Sequence, residues 1–184
     1  MEKAEECFWY YNTEIGLVRI AENGHAITEI TLGYKLSHEP EKETQITKTP
    51  VGAGITRQLK LEIEEETRLL KTAAEQLWDY LAGSRQLFDL PLDPQGTKFQ
   101  KSVWNALLNI PYGEIRSYKQ VAQAIGNPKA CRAVGMANNK NPILIVIPCH
   151  RVIGSDGSLM GYGGGLELKE KLLKLEGAKL NKKD

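Results

Sequence analysis

The sequence predicts an α/β (α+β) chain. A small N-terminal antiparallel sheet plus helix domain is expected over residues 1–93. A mainly helical domain over 94–184 follows, with a helix-turn-helix and a reactive cysteine. Three observations carry this expectation. β-rich residues alternate through "CFWYYNTEIGLVRIAENGHAITEITLGY". Helical periodicity dominates after Thr97. The charge also changes sign there: 10 Lys and Arg stand against 17 Asp and Glu before Thr97, and 14 against 6 from it onward. A basic half joined to an acidic one points to a polyanion met by the second half alone, or to ordinary surface variation.

The bulk composition narrows the class. With 184 residues, 41% hydrophobic and 26% charged, the chain reads as a soluble globular protein able to bury a real core. Its longest apolar run, Ile143 to Pro148, is the length of a strand, far short of a bilayer span. The opening "MEKAEECFWYY" is acidic and lacks the layout of a secretory signal, so a cytoplasmic protein is expected. Cys7, Cys131 and Cys149 have no paired spacing, which suits free thiols, and no spacing with His25 or His38 resembles a zinc site.

Taken in order, the first segment predicts two or three strands with a turn at Asn23-Gly24. The polar stretch "SHEPEKETQITKTPVG" reads as a loop. A helix over about 54–82 follows, with Leu69, Ala73, Leu77 and Leu81 at four-residue steps. "GSRQLFDLPLDPQG" reads as an edge strand and a turn-rich linker. In "TKFQKSVWNALLNIP", Phe99, Val103, Ala106, Leu107 and Ile110 share a helix face. Ser117 and Gln120 form a capping-box signature for a helix ending at Gly126. Asn127 and Pro128 then suit the cap and first turn of a second helix. That helix is rich in small residues, Ala130, Ala133, Gly135 and Ala137, with Lys129 and Arg132 beside them. The pair serves either as a DNA-docking helix-turn-helix or as tightly packed core helices.

The chemistry gathers in "ILIVIPCHRVIG". Cys149 is either a small core residue or a nucleophile, and a nucleophilic thiol needs a base to ionise it. On a strand, Cys149 and His150 would point to opposite faces, but Pro148 favours a turn that brings them together. A histidine base calls for a carboxylate behind it. In "LELKEKLLKLEG", Glu167 and Glu170 pair with Lys171 and Lys174 at i,i+4, whereas Glu176 follows Leu168, Leu172 and Leu175 on the apolar stripe. Glu176 is therefore the candidate third member. "GYGGG" lacks the ending of a phosphate loop and reads as a wall of the site.

"IPCHRVIG", with "NPKACRAVGMANNKNP" before it and "GYGGGLELKEKLLKLEG" after it, resembles the O6-alkylguanine-DNA alkyltransferases, densely so from Phe99 to Gly177. The resemblance implies direct-reversal DNA repair. One alkyl group would pass from O6 of guanine, and from O4 of thymine, to Cys149, without a cofactor and without turnover. The implied partner is double-stranded DNA containing O6-alkylguanine, with no membrane and no obligate protein partner, in the cytoplasm or on a nucleoid. It further implies that Glu176 orients His150, which acts through a water on Cys149, while Asn141 braces the turn and Arg151 is structural. Arg132 would fill the space of a flipped base, Tyr118 would turn the phosphate and assist the leaving guanine, and Ala130, Ala133 and Lys129 would lie against DNA. Val152, Tyr162 and Gly163 would line the base pocket. Gly163 stands where some relatives have serine, Leu144 where some have proline, and the zinc ligands of some relatives have no match here.

Overall fold

The computed structural model describes residues 6–33 and 66–179. Strands β1 (Cys7–Thr13), β2 (Gly16–Glu22) and β3 (Ile27–Leu32) pair antiparallel in sequence order, with Trp9 opposite Ile20 and Ile20 opposite Ile30. Alternation sends Tyr11, Val18, Ile20 and Ile30 to the buried side. The Asn23-Gly24 turn forms as a four-residue loop. The Asn23 side chain accepts from the His25 and Ala26 amides, and Gly24 takes a positive φ of 85°.

Helix α1 (Arg68–Leu81) covers that side with Leu70, Ala73, Ala74, Leu77, Tyr80 and Leu81. It starts later than the periodicity suggested, because Thr67 is extended and caps the Leu70 amide. Residues 54–65 and the polar stretch before them lie outside the described residues. Buried Gln76 bonds both the amide and the carbonyl of Asp89, which pins the following linker to α1. The linker then meets β3 through a parallel bridge between Ile27 and Leu92, where an edge strand was expected.

The second half is built from α2 (Lys98–Leu108), β4 (Arg116–Ser117), α3 (Tyr118–Ala124), α4 (Cys131–Asn139), a 3-10 turn (Cys149–Arg151), β5 (Val152–Ile153) and α5 (Leu166–Leu175). Both α2 and α3 open with complete capping boxes, Thr97 with Gln100 and Ser117 with Gln120. Trp104 of α2 is buried and donates its indole N–H to the Ala137 carbonyl at 2.9 Å. Gly96 is required beneath it, since a Cβ there would lie 2.5 Å from the indole ring.

Three local expectations are corrected. Helix α4 begins at Cys131 rather than Pro128, because residues 127–130 close their own turn through Ala130 N–H and the Asn127 carbonyl. Lys171 reaches Glu14 of the first hairpin instead of Glu167, while Lys174 does pair with Glu170. The run from Ile143 to Pro148 is not a strand. It makes isolated bridges and reverses at Ile145, whose φ is +72°. Its residues are buried on all sides, so their apolar character carries no period to separate strand from turn.

The two halves share one core, joined at β3. The Ile30 amide donates to the Pro142 carbonyl and the Leu144 amide to the Ile30 carbonyl. The sheet therefore positions the segment leading to Cys149. Replacing the exposed cap of α2, Thr97→Ala, should lower the unfolding free energy by about 1 kcal/mol in urea titration.

Candidate active site

Two tight reversals present Cys149. The Val146 amide bonds the Leu144 carbonyl around Ile145, and the Cys149 amide bonds the Ile147 carbonyl at 2.7 Å around Pro148 (φ −81°, ψ 61°). Each closes a three-residue γ-turn. A β-branched residue at positive φ costs roughly 1–3 kcal/mol and persists only where its surroundings fix it. Asn141 does so. Its amide nitrogen donates to the Ile143 and Ile147 carbonyls, its oxygen accepts from the Ile143 amide, and the same nitrogen lies 3.1 Å from Cys149 Sγ.

Cys149 and His150 then fall on successive residues of a 3-10 turn, where side chains diverge by a third of a turn rather than half. Both are fully buried. Burial pushes the Cys149 thiol up to about 11, against the Asn141 hydrogen bond and the charge of Lys169. Cys149 is therefore a neutral thiol at pH 7 until a base acts on it.

His150 is held by Glu176, the residue that ends α5. Its Oε1 lies 2.9 Å from His150 Nε2, and Arg151 donates to both carboxylate oxygens at 2.8–3.1 Å. Arg151 also donates to the Ile110 carbonyl at 2.6 Å, so its guanidinium is committed to structure. The Gly113 amide donates to Oε2 at 3.2 Å, and a Cβ on Gly113 would lie 2.8 Å from the Glu176 carbonyl. Burial opposes ionisation of Glu176, but the His150 and Arg151 hydrogen bonds outweigh it and hold the carboxyl at about 2.

An ionised carboxylate only accepts, so His150 carries its proton on Nε2. That leaves Nδ1, buried and without a protein partner, as the basic nitrogen. Burial holds the imidazole below its ordinary pKa, against the pull of Glu176, so His150 is neutral at pH 7 and able to take a proton.

The remaining expected residues surround this group or lie on the α4 surface. Tyr162 is buried with its ring edge-on to His150. Tyr118 is half-buried and donates to the Met160 carbonyl at 3.2 Å. Burial and the nearby Cys149 both raise its pKa. Val152 is buried beside the turn, while Gly163 is exposed, and a Cβ there would make ordinary contact with Leu144. On α4 the outward residues are Arg132, Ala133, Met136 and Asn139, with Lys129 exposed and Ala130 half-buried just before the helix. Among the described residues, no group of three or more His, Cys, Asp or Glu could hold a metal ion.

Sequence reasoning missed three residues. Lys169 is fully buried and donates to the Val152 and Met160 carbonyls at 2.5 and 2.8 Å. Burial lowers its pKa to about 8, while Cys149 pulls it back up. The stripe of α5 that buries Leu172, Leu173 and Glu176 starts at Lys169, so the periodicity that selected Glu176 also pointed there. Asn138 donates to the Cys149 carbonyl at 3.3 Å. Tyr80 donates to Glu176 Oε1 at 2.6 Å, and a polar-tipped aromatic three residues after buried Leu77 called for such a partner.

The buried pair has a measurable consequence. Glu176 ionises at about 2 when folded, against an ordinary value of 4.5. The stability it contributes is complete above that ordinary value and is lost as the pH falls toward 2. Glu176→Gln leaves Arg151 buried without an anion and should cost about 3–5 kcal/mol at pH 7. Urea titrations between pH 5 and pH 2 should show a flatter pH dependence for the variant than for the parent.

Two family models match the chain in tandem. The ribonuclease-like domain of 6-O-methylguanine DNA methyltransferase covers residues 8–94, and the DNA-binding domain of the same family covers 98–178. The methylated-DNA–protein-cysteine methyltransferase of Methanosarcina acetivorans is 60% identical over 114 residues, 62% of this chain and 73% of the relative. That of Mycolicibacterium paratuberculosis is 57% identical over 112 residues, 61% of this chain and 68% of the relative. The crystal structure of Mycobacterium tuberculosis O6-methylguanine methyltransferase superimposes with a TM-score of 0.74 at 39% identity, covering 94% of this chain and 93% of that one. A structure of Mycobacterium tuberculosis OGT in complex with DNA gives 0.70 at 42% identity, covering 91% of each chain. With a buried cysteine set beside a histidine–glutamate pair and matches along both halves, this chain belongs to the methylated-DNA–protein-cysteine methyltransferase family.

Proposed function

We propose that this chain repairs DNA by direct reversal, moving a methyl or larger alkyl group from O6 of guanine, and from O4 of thymine, onto its own Cys149. The observation that carries the reading is the burial together of a neutral thiol, a neutral imidazole and an ionised carboxylate that fixes the imidazole's tautomer. His150, working through a water, takes the thiol proton on Nδ1, and Glu176 stabilises the imidazolium that forms. The sulfur then attacks the alkyl carbon. The S–C bond forms as the C–O6 bond breaks, its electron pair passes to the guanine ring, and the proton lost by Cys149 is returned to the base. The Tyr118 hydroxyl assists that departure. A thioether has no S–H left to ionise and no group here can hydrolyse it, so each chain reacts once and needs no cofactor.

Cys149 is completely buried, so a stacked base cannot reach it, and the damaged nucleotide has to leave the duplex. In this reading α4 lies against double-stranded DNA, with Ala130 and Ala133 permitting close approach and Lys129 meeting the backbone. Arg132 fills the vacated stack. Val152, Tyr162 and Gly163 line the pocket that receives the base. Residues 1–93 form a supporting domain, and 94–184 bind DNA and accept the alkyl group. The chain works without a protein partner in the cytoplasm. Among the described residues, no helix is long and apolar enough to cross a membrane.

Incubation with a duplex carrying O6-methylguanine, followed by intact-mass measurement and peptide mapping, should show one methyl group per chain, on Cys149. Cys149→Ser should take up none. An unmodified parent chain after incubation would sink the reading. Arg132→Ala should slow repair of duplex DNA by roughly tenfold to a hundredfold, the equivalent of about 1.4–3 kcal/mol of flipping cost. Its reaction with a free O6-alkylguanine base should be nearly unchanged, and equal losses on both substrates would remove Arg132 from the flipping step.

A further inference from the structure

Helix α1 belongs to the N-terminal half, yet it sends one phenol into the centre of the site. Tyr80 is fully buried, with its hydroxyl 2.6 Å from Glu176 Oε1 and 3.3 Å from His150 Nε2. Its ring is held between Phe88, at 5.2 Å between centroids, and Tyr112, edge-on at 6.1 Å. The hydroxyl has one proton, and the ionised carboxylate can only accept it. The phenol oxygen therefore turns a lone pair toward His150. Were Nε2 unprotonated, three lone pairs would face one another in a buried space. With a proton on Nε2, the N–H points at two acceptors at once. Burial and the Glu176 charge push ionisation of Tyr80 well above the usual tyrosine value, so it remains a donor.

We propose that Tyr80 is a positioning residue for alkyl transfer: by donating to Glu176 and accepting from His150, it supports the tautomer that Glu176 sets and tunes how readily His150 takes the Cys149 proton on Nδ1. This inference rests on the repair reading above. It makes the N-terminal half a contributor to the reaction as well as a support for it. A merely structural ring predicts that phenylalanine serves equally well.

Tyr80→Phe removes only the hydroxyl. With Glu176 relieved of one donor, its carboxylate becomes more basic and stabilises the imidazolium more strongly. The pKa of His150 rises, and the low-pH limb of the transfer rate moves to higher pH. The groups facing that histidine are Cys149, Arg151, Tyr162, Lys169 and Glu176, and all remain in place. Single-turnover methyl transfer from an O6-methylguanine duplex should slow by about tenfold at neutral pH, the scale of one hydrogen bond to a charged group. Nitrogen-15 NMR of labelled His150 should show Nε2 protonated in the parent and more imidazolium at the same pH in the variant.

Parent rate, parent pH limb and an unchanged His150 spectrum in Tyr80→Phe would overturn the proposal. Should the variant fail to fold, 3-fluorotyrosine at position 80 keeps the ring and strengthens the donor. The limb should then move to lower pH, and an unmoved limb would equally overturn it. A parent chain that takes up no methyl group defeats the repair reading instead. The spectrum needs no substrate and still decides whether Tyr80 tunes His150.

Discussion

The buried Arg151–Glu176 pair is the interaction on which the rest of the site depends. Glu176 sits at the C-terminal end of α5, where the helix dipole disfavours a negative charge, and it is almost wholly removed from water. A carboxylate survives there only because every approach to it is a donor. Arg151 comes from the 3-10 turn, His150 from the residue before it, Tyr80 from α1, and the Gly113 amide from the connection after α2. Each belongs to a different piece of the chain or a different side of the carboxylate. The charge therefore holds four segments in register, and the same register sets the imidazole. Structural and chemical roles coincide in one group.

Around that hub the cysteine is kept in its less reactive form. Asn141 and Lys169 favour a thiolate, yet burial outweighs both, and the thiol stays protonated near neutrality. An enzyme that turns over gains from a nucleophile poised near pH 7. A chain that reacts once gains from the opposite arrangement, because a standing thiolate would be exposed to oxidation and stray electrophiles. In the proposed reaction, proton removal is tied to a base reached only inside the pocket. The strained reversal at Ile145, braced by Asn141, is what carries the thiol inward instead of leaving it on a strand edge.

Much of this was legible from residues alone, and the failures have physical causes. Hairpin alternation, the Ser117–Gln120 cap and the apolar stripe that selected Glu176 are local patterns, and each has its counterpart in the structure. Ile143 to Pro148 was misread because residues buried on every side carry no period. The start of α4 was misplaced because Asn127 closes a turn of its own rather than capping a helix. Tyr80 and Lys169 were overlooked for another reason. Their partners lie 96 and 17 residues away, so nothing in their neighbourhood announced what they touch. Both did stand on buried helical stripes, and a polar group on such a stripe asks for a partner wherever it occurs.

The burial of Cys149 also links chemistry to docking. A sulfur withdrawn from the surface cannot search DNA, so in the proposed reaction the helix that would meet DNA has to be registered against the site behind it. That registration is direct. The outward face of α4 carries Arg132 and Ala133, while its inward face is fastened by the Trp104 indole at the Ala137 carbonyl and by Asn138 at the Cys149 carbonyl. One short helix thus has its outward face, proposed here to meet DNA, and its attachment to the backbone of Cys149 within two turns. A rigid element of that length transmits position without needing to move. In the proposed repair the base comes to the buried Cys149, so flipping and burial belong to one design.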